Sequence, residues 1–219
     1  MGRAGMKRTV IFDLDGTILD TLTDLTDAVN FALSSFGFPP RRSEEVCSFV
    51  GNGIRKLIER AIGREGYEKE EELFQTFRQF YAEHCSVTTR PYEGIEEVLK
   101  TLQNRGIKRA VLSNKSDAEV KKLIQTHFPN LFDEVQGEDE SAGFPRKPNP
   151  KGVLEIMRRL NASAQETVYV GDSNVDIQTA KNAGIDCILV TWGFKTKAFL
   201  LENGAKITVD TPSEILNYV

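Results

Sequence analysis

The spacing of apolar residues predicts a helical region in the first half of the chain. Between about residues 18 and 89, apolar side chains recur every three or four residues, which is the period of an amphipathic helix, and no strand pattern occurs. The clearest series comprises Leu22, Leu25, Val29, Leu33 and Phe36. Gly37 follows this series as a helix stop, and comparable spacing recurs after "GNG" at 51–53 and through 68–85. We therefore expect an all-helical domain in this stretch.

The remaining sequence alternates short apolar runs with helical patterns. Strands are expected at 8–13, 132–136 and 206–209 and in "KRAVLS", "TVYVG" and "DCILV". Helices are expected at 94–105 and 174–183, after Ser116, which has capping-box spacing to Glu119, and near Pro150. This alternation predicts an α/β fold, a doubly wound parallel sheet with a Rossmann-like core. Because the helical block interrupts the alternation, we expect a core of residues 1–17 and 90–219 and an inserted cap of residues 18–89.

Composition narrows the class of protein. The 219 residues include 28 Lys and Arg against 32 Asp and Glu, which gives a net charge of −4. Because nucleic-acid-binding domains are usually basic, we expect no nucleic-acid partner. No apolar stretch approaches 18 residues, so we expect no membrane segment. The widely spaced Cys47, Cys85 and Cys187 are typical of reduced thiols in a cytoplasmic protein. Residues 1–8 lack the apolar run of a signal peptide. A start at Met1 or Met6, and a monomer or a homodimer, stay open.

Chemically active side chains follow the ends of the predicted strands, where ligands bind in open α/β sheets. These residues are Asp13, Asp15, Ser113, Asn114, Asp172 and Asp176, and Lys147 lies in the loop before Pro150. Each has a structural explanation when taken alone, because aspartates are common in turns and at helix starts and a single lysine is usually a solvated charge. Independent turns would not be expected to bring this whole set to one sheet edge.

Asp13 and Asp15 would place two like charges on one face of the first strand, because side chains two residues apart point the same way. A divalent cation relieves that repulsion, and Mg²⁺ prefers hard oxygen ligands. We expect Asp13 and Asp172 to supply carboxylates and Asp15 to supply its backbone carbonyl. Ser173 and Asp176 would orient these ligands from behind.

A magnesium ion, a lysine and small hydrogen-bonding groups suit a phosphate dianion, since phosphoryl transfer depends on positioning and charge neutralisation. Asp13 is expected to attack phosphorus, and Asp15 to protonate the leaving alcohol and then activate water. Ser113 and Asn114 would bind phosphate oxygens, and Lys147 would steady both Asp13 and the phosphate.

Other residues are expected to bind substrate. They are Gly16 and Thr17 beside the aspartates and Gly51, Asn52, Gly53 and Arg55 in the cap. The "GNG" turn offers backbone N–H groups to a small anion, although it also reads as an ordinary loop before a helix. Arg55 would pair with a carboxylate of the substrate. The cap is expected to close on hinges near 17–20 and 86–91.

These residues resemble the haloacid dehalogenase superfamily of phosphatases, whose four motifs match "DLDGT", "LSN", "RKP" and "GDSNVD" in the family order over essentially the whole chain. The resemblance implies a Mg²⁺-dependent phosphomonoester hydrolase with an aspartyl-phosphate intermediate. Within the superfamily, "FVGNG", "SNK", "KPNP" and "GDSNVDIQTAKNAG" are similar to bacterial phosphoglycolate phosphatases, which implies 2-phosphoglycolate as substrate. Ser116 departs from the proline that many relatives have there.

Several alternatives stay open on the same core. They are a pyrophosphatase, a nucleotidase and a hexose-phosphate phosphomutase, each acting on a small phosphate compound. A phosphonate hydrolase would need a cap lysine, but Lys56 has the pattern of a solvated helical charge. His84 and His127 lie in helical stretches and are interpreted as structural, so zinc is not expected. A catalytically silent interaction protein is the alternative from a different class.

Overall fold

A computed structural model describes residues 6–219. Within them the chain divides into two compact units: a core of residues up to Leu19 together with Pro91–Val219, and a cap of Asp20–Arg90. The sequence predicted the cap at 18–89. The alternative starts, Met1 and Met6, differ by residues 1–5, which lie outside the described residues.

The core unit is built on a six-stranded parallel sheet. Its strands are β1 (Thr9–Phe12), β4 (Lys108–Ser116), β5 (Glu134–Glu138), β6 (Thr167–Gly171), β7 (Asp186–Val190) and β8 (Thr208–Val209). The order across the sheet is β5-β4-β1-β6-β7-β8. The chain therefore starts in the middle, builds one side and then returns to build the other. The point where it switches sides is the carboxyl end of β1, the place where ligands bind in such sheets.

Helices and short strands connect the sheet. The core helices are α5 (Ile95–Asn104), α6 (Asp117–His127), α7 (Lys151–Arg159), α8 (Asn174–Ala183) and α9 (Lys197–Glu202), followed by a 3₁₀ helix at Pro212–Asn217. β2 (Leu19–Asp20) and β3 (Arg90–Pro91) pair as a two-stranded ribbon. This arrangement confirms the predicted α/β fold class. Among residues 6–219, no helix combines the length and apolar character needed to cross a membrane.

One layer of the core packs apolar side chains of α7 and α8 against the sheet. The buried members of this layer are Ile11, Ala110, Leu112, Val153, Ile156, Met157, Tyr169, Ala180 and Ile185. Because β1 and β6 are buried along their whole length, they read as continuous apolar runs, as strands of a covered parallel sheet do.

The cap unit consists of four helices, α1 (Leu22–Ser35), α2 (Ser43–Phe49), α3 (Ile54–Ile62) and α4 (Glu70–His84). Their buried apolar faces include Val29, Leu33, Ile58, Phe77 and Tyr81. Gly37 follows α1 with a φ of 77°, a backbone conformation that glycine adopts without strain.

The structure changes some details of the sequence prediction and adds short elements to it. β1 ends at Phe12 rather than residue 13, so Asp13 and Asp15 lie in the following loop and not on a strand face. α6 begins at Asp117 with Ser116 as its N-cap residue, as predicted, but the Ser116 hydroxyl donates to the Glu119 carboxylate (2.7 Å) and makes no hydrogen bond to the helix backbone. The β2–β3 ribbon and the short helices α2 and α9 were not predicted, because elements of two to seven residues carry little periodicity.

Candidate active site

Asp13 follows β1 at the centre of the sheet and is buried. Its backbone N–H donates to Val170 (2.8 Å), which continues the β1–β6 ladder one residue past the strand. Its Oδ1 accepts a hydrogen bond from the Leu14 N–H (2.7 Å) and pairs with the Lys147 ammonium (2.8 Å). Among residues 6–219, Oδ2 of Asp13 receives no hydrogen bond. The loop therefore fixes one carboxylate oxygen and leaves the other for chemistry.

Lys147 is buried and its ammonium joins three groups. It contacts Asp13 Oδ1 and Asp176 Oδ1, both at 2.8 Å, and donates to the Tyr169 hydroxyl (3.1 Å). Burial alone would lower the pKa of Lys147, but Asp13 and Asp176 outweigh it and hold that pKa well above its usual value. Lys147 therefore carries a permanent positive charge inside the site.

Asp176 and Ser173 form the start of α8, directly after "GD" at the end of β6. Ser173 is the N-cap of α8, and its hydroxyl donates to Asp176 Oδ2 (2.6 Å). The backbone N–H groups of Asp172 and Ser173 donate to the same oxygen (3.2 and 3.0 Å). Asp176 thus uses both carboxylate oxygens within the protein, which matches a residue that orients its neighbours and holds Lys147.

Asp172 is buried beside this cap. Its Oδ2 accepts a hydrogen bond from the Phe194 N–H (2.6 Å), and its Oδ1 receives none from the described part of the chain. Burial raises the pKa of Asp172 well above its usual value, and the nearby carboxylates Asp176 and Asp13 raise it further. Burial likewise raises the pKa of Asp13 to about 7, against the opposing effect of Lys147. These carboxyl groups lack enough positive charge around them.

The donor set fits a divalent cation. One carboxylate oxygen from each of Asp13, Asp172 and Asp176 lies within 4.8 Å of the others, and all three residues are buried. Because Asp176 is satisfied by Lys147 and by N–H and O–H donors, the carboxylates left to contact a cation are those of Asp13 and Asp172. Carboxylate oxygens in this setting suit Mg²⁺ rather than a soft metal.

Asp15 pairs with Lys115, a contact that the sequence analysis missed. The Lys115 ammonium lies 3.1 Å from Asp15 Oδ1, and its side chain is 2% exposed. Each aspartate of "DLD" therefore has its own lysine, Lys147 for Asp13 and Lys115 for Asp15. Burying an unpaired ammonium costs several kcal/mol, and Asp15 offsets this cost for Lys115. Lys115 of "SNK" therefore lies in the site as the partner of Asp15. The only sequence signal was its position next to Ser113 and Asn114 at a strand end.

Ser113 and Asn114 lie where β4 pairs irregularly with β5, between Leu112 and Ser116. The buried Ser113 hydroxyl accepts the Lys115 N–H (3.2 Å). The Asn114 side chain accepts the Lys147 N–H (2.6 Å) and donates to the Lys147 carbonyl (3.2 Å). The Asn114 amide therefore holds the loop that carries Lys147, and its expected contact with a phosphate oxygen stays a prediction.

Gly16 and Thr17 complete the loop after β1. Gly16 has a φ of 79°, and a Cβ there would lie 2.4 Å from Asp172 Oδ2. Thr17 is fully buried, and its hydroxyl has no hydrogen-bond partner in the described residues. Gly16 is therefore required both by its backbone conformation and by the closeness of Asp172.

The loop after β7 also contacts the site and was not predicted from the sequence. The Trp192 indole N–H donates to the Thr17 carbonyl (3.1 Å), and the Phe194 N–H donates to Asp172. No signal in "TWGF" marked it, because the residues it contacts lie about 20 and 175 positions away in the chain.

The cap candidates belong to the other unit. Gly51 and Gly53 have φ values of 124° and 85°, as a glycine turn requires. Asn52 accepts a hydrogen bond from Arg60 (2.9 Å), and the Arg55 guanidinium pairs with Glu71 (2.7 Å) and lies 4.1 Å from the centre of the Phe74 ring. Lys56 pairs with Glu59 on the helix surface, and His84 stacks on Phe80 with ring centroids 4.0 Å apart.

Comparison with known proteins identifies the class. Residues 10–190 match the haloacid dehalogenase-like hydrolase family. Phosphoglycolate phosphatase 1 of Pseudomonas aeruginosa is 32% identical over 96% of this chain and 79% of its own length. Phosphoglycolate phosphatase of Aquifex aeolicus is 32% identical over 85% and 86%.

Solved structures agree with this family. A Lactobacillus delbrueckii subsp. bulgaricus protein assigned to the phosphoglycolate phosphatases superposes with a TM-score of 0.92 at 35% identity, covering 96% of this chain and 97% of its own. A Thermotoga maritima protein assigned as a beta-phosphoglucomutase gives 0.74 at 25% identity, covering 97% of each chain. The chain belongs to the haloacid dehalogenase-like hydrolases. Within that family it is a phosphatase.

Proposed function

We propose that this phosphatase hydrolyses a small phosphate monoester through an aspartyl-phosphate on Asp13, with Mg²⁺ as cofactor and 2-phosphoglycolate as its substrate. The observation that carries the proposal is the buried Asp13 carboxylate, whose Oδ1 is held by Lys147 and the Leu14 N–H while Oδ2 receives no hydrogen bond within residues 6–219. A carboxylate held in this way can present one oxygen to phosphorus in line with a leaving group.

The reaction divides between the two aspartates of the loop. Asp13 Oδ2 attacks phosphorus and the ester P–O bond breaks, while the Asp15 carboxyl gives its proton to the leaving alcohol oxygen. Asp15, now a carboxylate, takes a proton from a water molecule that attacks the aspartyl-phosphate, which releases inorganic phosphate and regenerates Asp13. Lys115 holds Asp15 during both steps, and Ser113 is available as a hydroxyl donor to a phosphate oxygen.

Asp13 and Asp172 would hold the magnesium ion through their carboxylates, with the backbone carbonyl of Asp15 as a third protein ligand. Bound there, the ion supplies positive charge to the phosphate oxygens. Lys147 contributes a second, fixed positive charge, and Asp176 with Ser173 keeps that lysine in place. The high pKa of Asp172 supports the assignment, because a buried carboxyl group of this kind is matched to a cation.

The main test is phosphate release by the purified protein from a panel of small esters and pyrophosphate, with Mg²⁺ and with EDTA. We expect Mg²⁺-dependent release that is fastest with 2-phosphoglycolate. As a control, Asp27→Asn, which changes an exposed aspartate on α1, should retain the activity. If no ester is hydrolysed under either condition, the proposed function is wrong; if another ester is preferred, only the substrate is wrong.

The substrate assignment is supported by the names of the relatives and by the glycine turn before α3. Arg55 is proposed to pair with the substrate carboxylate, for which it would exchange its contact with Glu71. Arg55→Ala should then raise KM for 2-phosphoglycolate about tenfold while leaving KM for a neutral alkyl phosphate unchanged. Arg78 lies near the same Phe74 ring, at 5.9 Å, and Arg78→Ala is the matched control. Equal changes with both esters would remove Arg55 from the binding site.

A hexose-phosphate phosphomutase is the second candidate, supported by the similarity to the Thermotoga maritima protein. Phosphorus NMR of a hexose-phosphate mixture separates the two activities, because a mutase interconverts the esters and a phosphatase accumulates inorganic phosphate.

We propose that the enzyme works on small phosphate esters in the cytoplasm as a monomer or homodimer. Size-exclusion chromatography with light scattering would decide between the monomer and the homodimer.

A further inference from the structure

We propose that the loop at residues 191–194 positions Asp172 against the loop after β1, and that Gly193 and Trp192 thereby set the affinity for Mg²⁺. The inference rests on the proposed magnesium function and adds residues outside the four motifs. None of the three residues from Trp192 to Phe194 is proposed to touch the metal ion or the substrate.

Two hydrogen bonds connect the loop to the site. The Phe194 N–H holds Asp172 Oδ2 at 2.6 Å, and the Trp192 indole N–H holds the Thr17 carbonyl at 3.1 Å. One short loop therefore contacts both segments that carry the proposed metal ligands, the loop after β1 and the residue after β6. The β1–β6 pairing sets the backbone positions of Asp13 and Asp172, and the two hydrogen bonds from the loop add a second connection that acts on the Asp172 side chain itself.

Gly193 lets the loop approach this closely. A Cβ at position 193 would lie 2.3 Å from the Gly16 carbonyl oxygen, 2.4 Å from Asp172 Cβ and 2.5 Å from Asp172 Oδ2. The backbone of Gly193 is not in the left-handed region, so its φ does not call for a glycine. The glycine is therefore required by space alone, and the atoms that occupy this space belong to a metal ligand and to its neighbouring loop.

The ligands of a metal site keep their affinity only when groups behind them hold their orientation, and loss of such a group typically weakens binding about 10- to 100-fold. An alanine at position 193 must push Asp172 or the Gly16 carbonyl away, since both contacts are shorter than atoms tolerate. The change leaves Asp13, Asp15, Lys147 and Asp172 themselves intact. Its effect should therefore appear in metal affinity.

The test is calorimetric titration of the metal-free protein with MgCl₂, comparing wild type, Gly193→Ala and Gly204→Ala. Gly204 follows α9 with a φ of 93°, and a Cβ at this position would have no described atom within 4 Å, so alanine there is strained but touches nothing. We expect Gly193→Ala to bind Mg²⁺ about 10- to 100-fold more weakly and Gly204→Ala to bind like wild type despite a lower Tm. Equal affinity in Gly193→Ala and wild type, or equal weakening in both variants, overturns the inference.

Trp192→Phe is a milder variant that decides the question if Gly193→Ala does not fold. It keeps an aromatic ring but removes the N–H that holds Thr17 together with part of the indole, so Mg²⁺ affinity should fall about three- to tenfold. Unchanged affinity would overturn the role of Trp192. Trp192 is the single tryptophan of the chain, so its fluorescence reports on this loop. During a titration of wild type with MgCl₂, the fluorescence should change with the same midpoint that calorimetry gives.

The outcomes for the wild type separate this inference from the proposed function. If wild type hydrolyses esters with Mg²⁺ and binds the ion, but the variants bind equally well, only the positioning role is lost. If wild type neither binds Mg²⁺ nor needs it for hydrolysis, the magnesium proposal fails and the inference fails with it.

Discussion

Two aspartates with little exposed surface, Asp172 in the core and Asp24 in the cap, differ in the groups that surround them. Both are 3% exposed. Asp24 accepts hydrogen bonds from the N–H groups of Val87, Thr88 and Thr89 and from the Thr88 hydroxyl, at 2.6 to 3.1 Å. Asp172 accepts one, from Phe194. Burial would raise both pKa values.

Hydrogen-bond donors and neighbouring charges decide the direction of each pKa shift. Burial works to raise the pKa of Asp24, but the hydrogen bonds from Thr88 and Thr89 outweigh it, and the pKa is lowered. The pKa of Asp172 stays well above its usual value. A buried carboxylate that receives enough hydrogen bonds from the protein is structural. Asp24 is such a group, and its hydrogen bonds connect α1 to residues 87–89. A buried carboxylate that the protein leaves short of donors is poised for a cation.

The largest expected effect comes from the core side of this comparison. Asp13→Asn should lower phosphate release at least about a thousandfold, because the amide cannot serve as the nucleophile. The metal-free variant should unfold at the same temperature as wild type or higher, because the amide removes the repulsion between Asp13 and the neighbouring carboxylates while Lys147 keeps Asp176 as its partner. Assays of hydrolysis and thermal unfolding in EDTA check both parts. A variant that is inactive only because its Tm has collapsed would contradict this account of Asp13.

The cap side should behave in the opposite way. Asp24→Asn keeps the shape of the side chain but turns an amide toward N–H donors, so the free energy of unfolding should fall by about 2–4 kcal/mol. Activity per folded molecule should change less than about threefold, since Asp24 belongs to the other unit. Urea unfolding followed by circular dichroism measures the first quantity. Asp27→Asn, an exposed site on the same helix, should stay within about 0.5 kcal/mol of wild type.

The smallest effect is the pH dependence of the Asp24 contribution. Because the folded-state pKa of Asp24 is lowered, the unfolded chain binds its proton first as the pH falls. The stabilisation is therefore fully present above about pH 4, the ordinary value for aspartate, and is lost as the pH falls through the lower folded-state pKa. The difference in unfolding free energy between wild type and Asp24→Asn should shrink by about 1 kcal/mol or more between pH 7 and pH 3. A difference that grows on acidification would contradict the donor argument.

Much of the fold and part of the site follow from local patterns. The alternation of strands and helices predicts the α/β class, and the uninterrupted helical spacing predicts an inserted helical block. "DLDGT" and "GDSNVD" indicate acidic chemistry because each packs carboxylates and a glycine into a few residues after an apolar run. The phosphatase class follows from these motifs together with "RKP", since a lysine and four carboxylates at strand ends suit a phosphate and a cation.

The contacts that the sequence analysis missed connect residues far apart in the chain. Lys115 lies 100 positions from Asp15, and Trp192 lies 175 positions from Thr17. Asn114 was expected to bind phosphate because its position at a strand end is all that the sequence shows. The sequence does not show that its side chain also holds the Lys147 backbone, which is 33 positions away.

The sequence by itself therefore determined which side chains are available, on which kind of element each one lies, and that a phosphatase of this family results. The tertiary structure alone decided which groups contact each other. Lys147 pairs with Asp13 and Asp176, Lys115 pairs with Asp15, and the Phe194 N–H donates to Asp172. The physical reason is that periodicity and turn chemistry act over a few residues. The charge balance of a buried site depends instead on which strands become neighbours, here β4, β1 and β6 around the carboxyl end of β1.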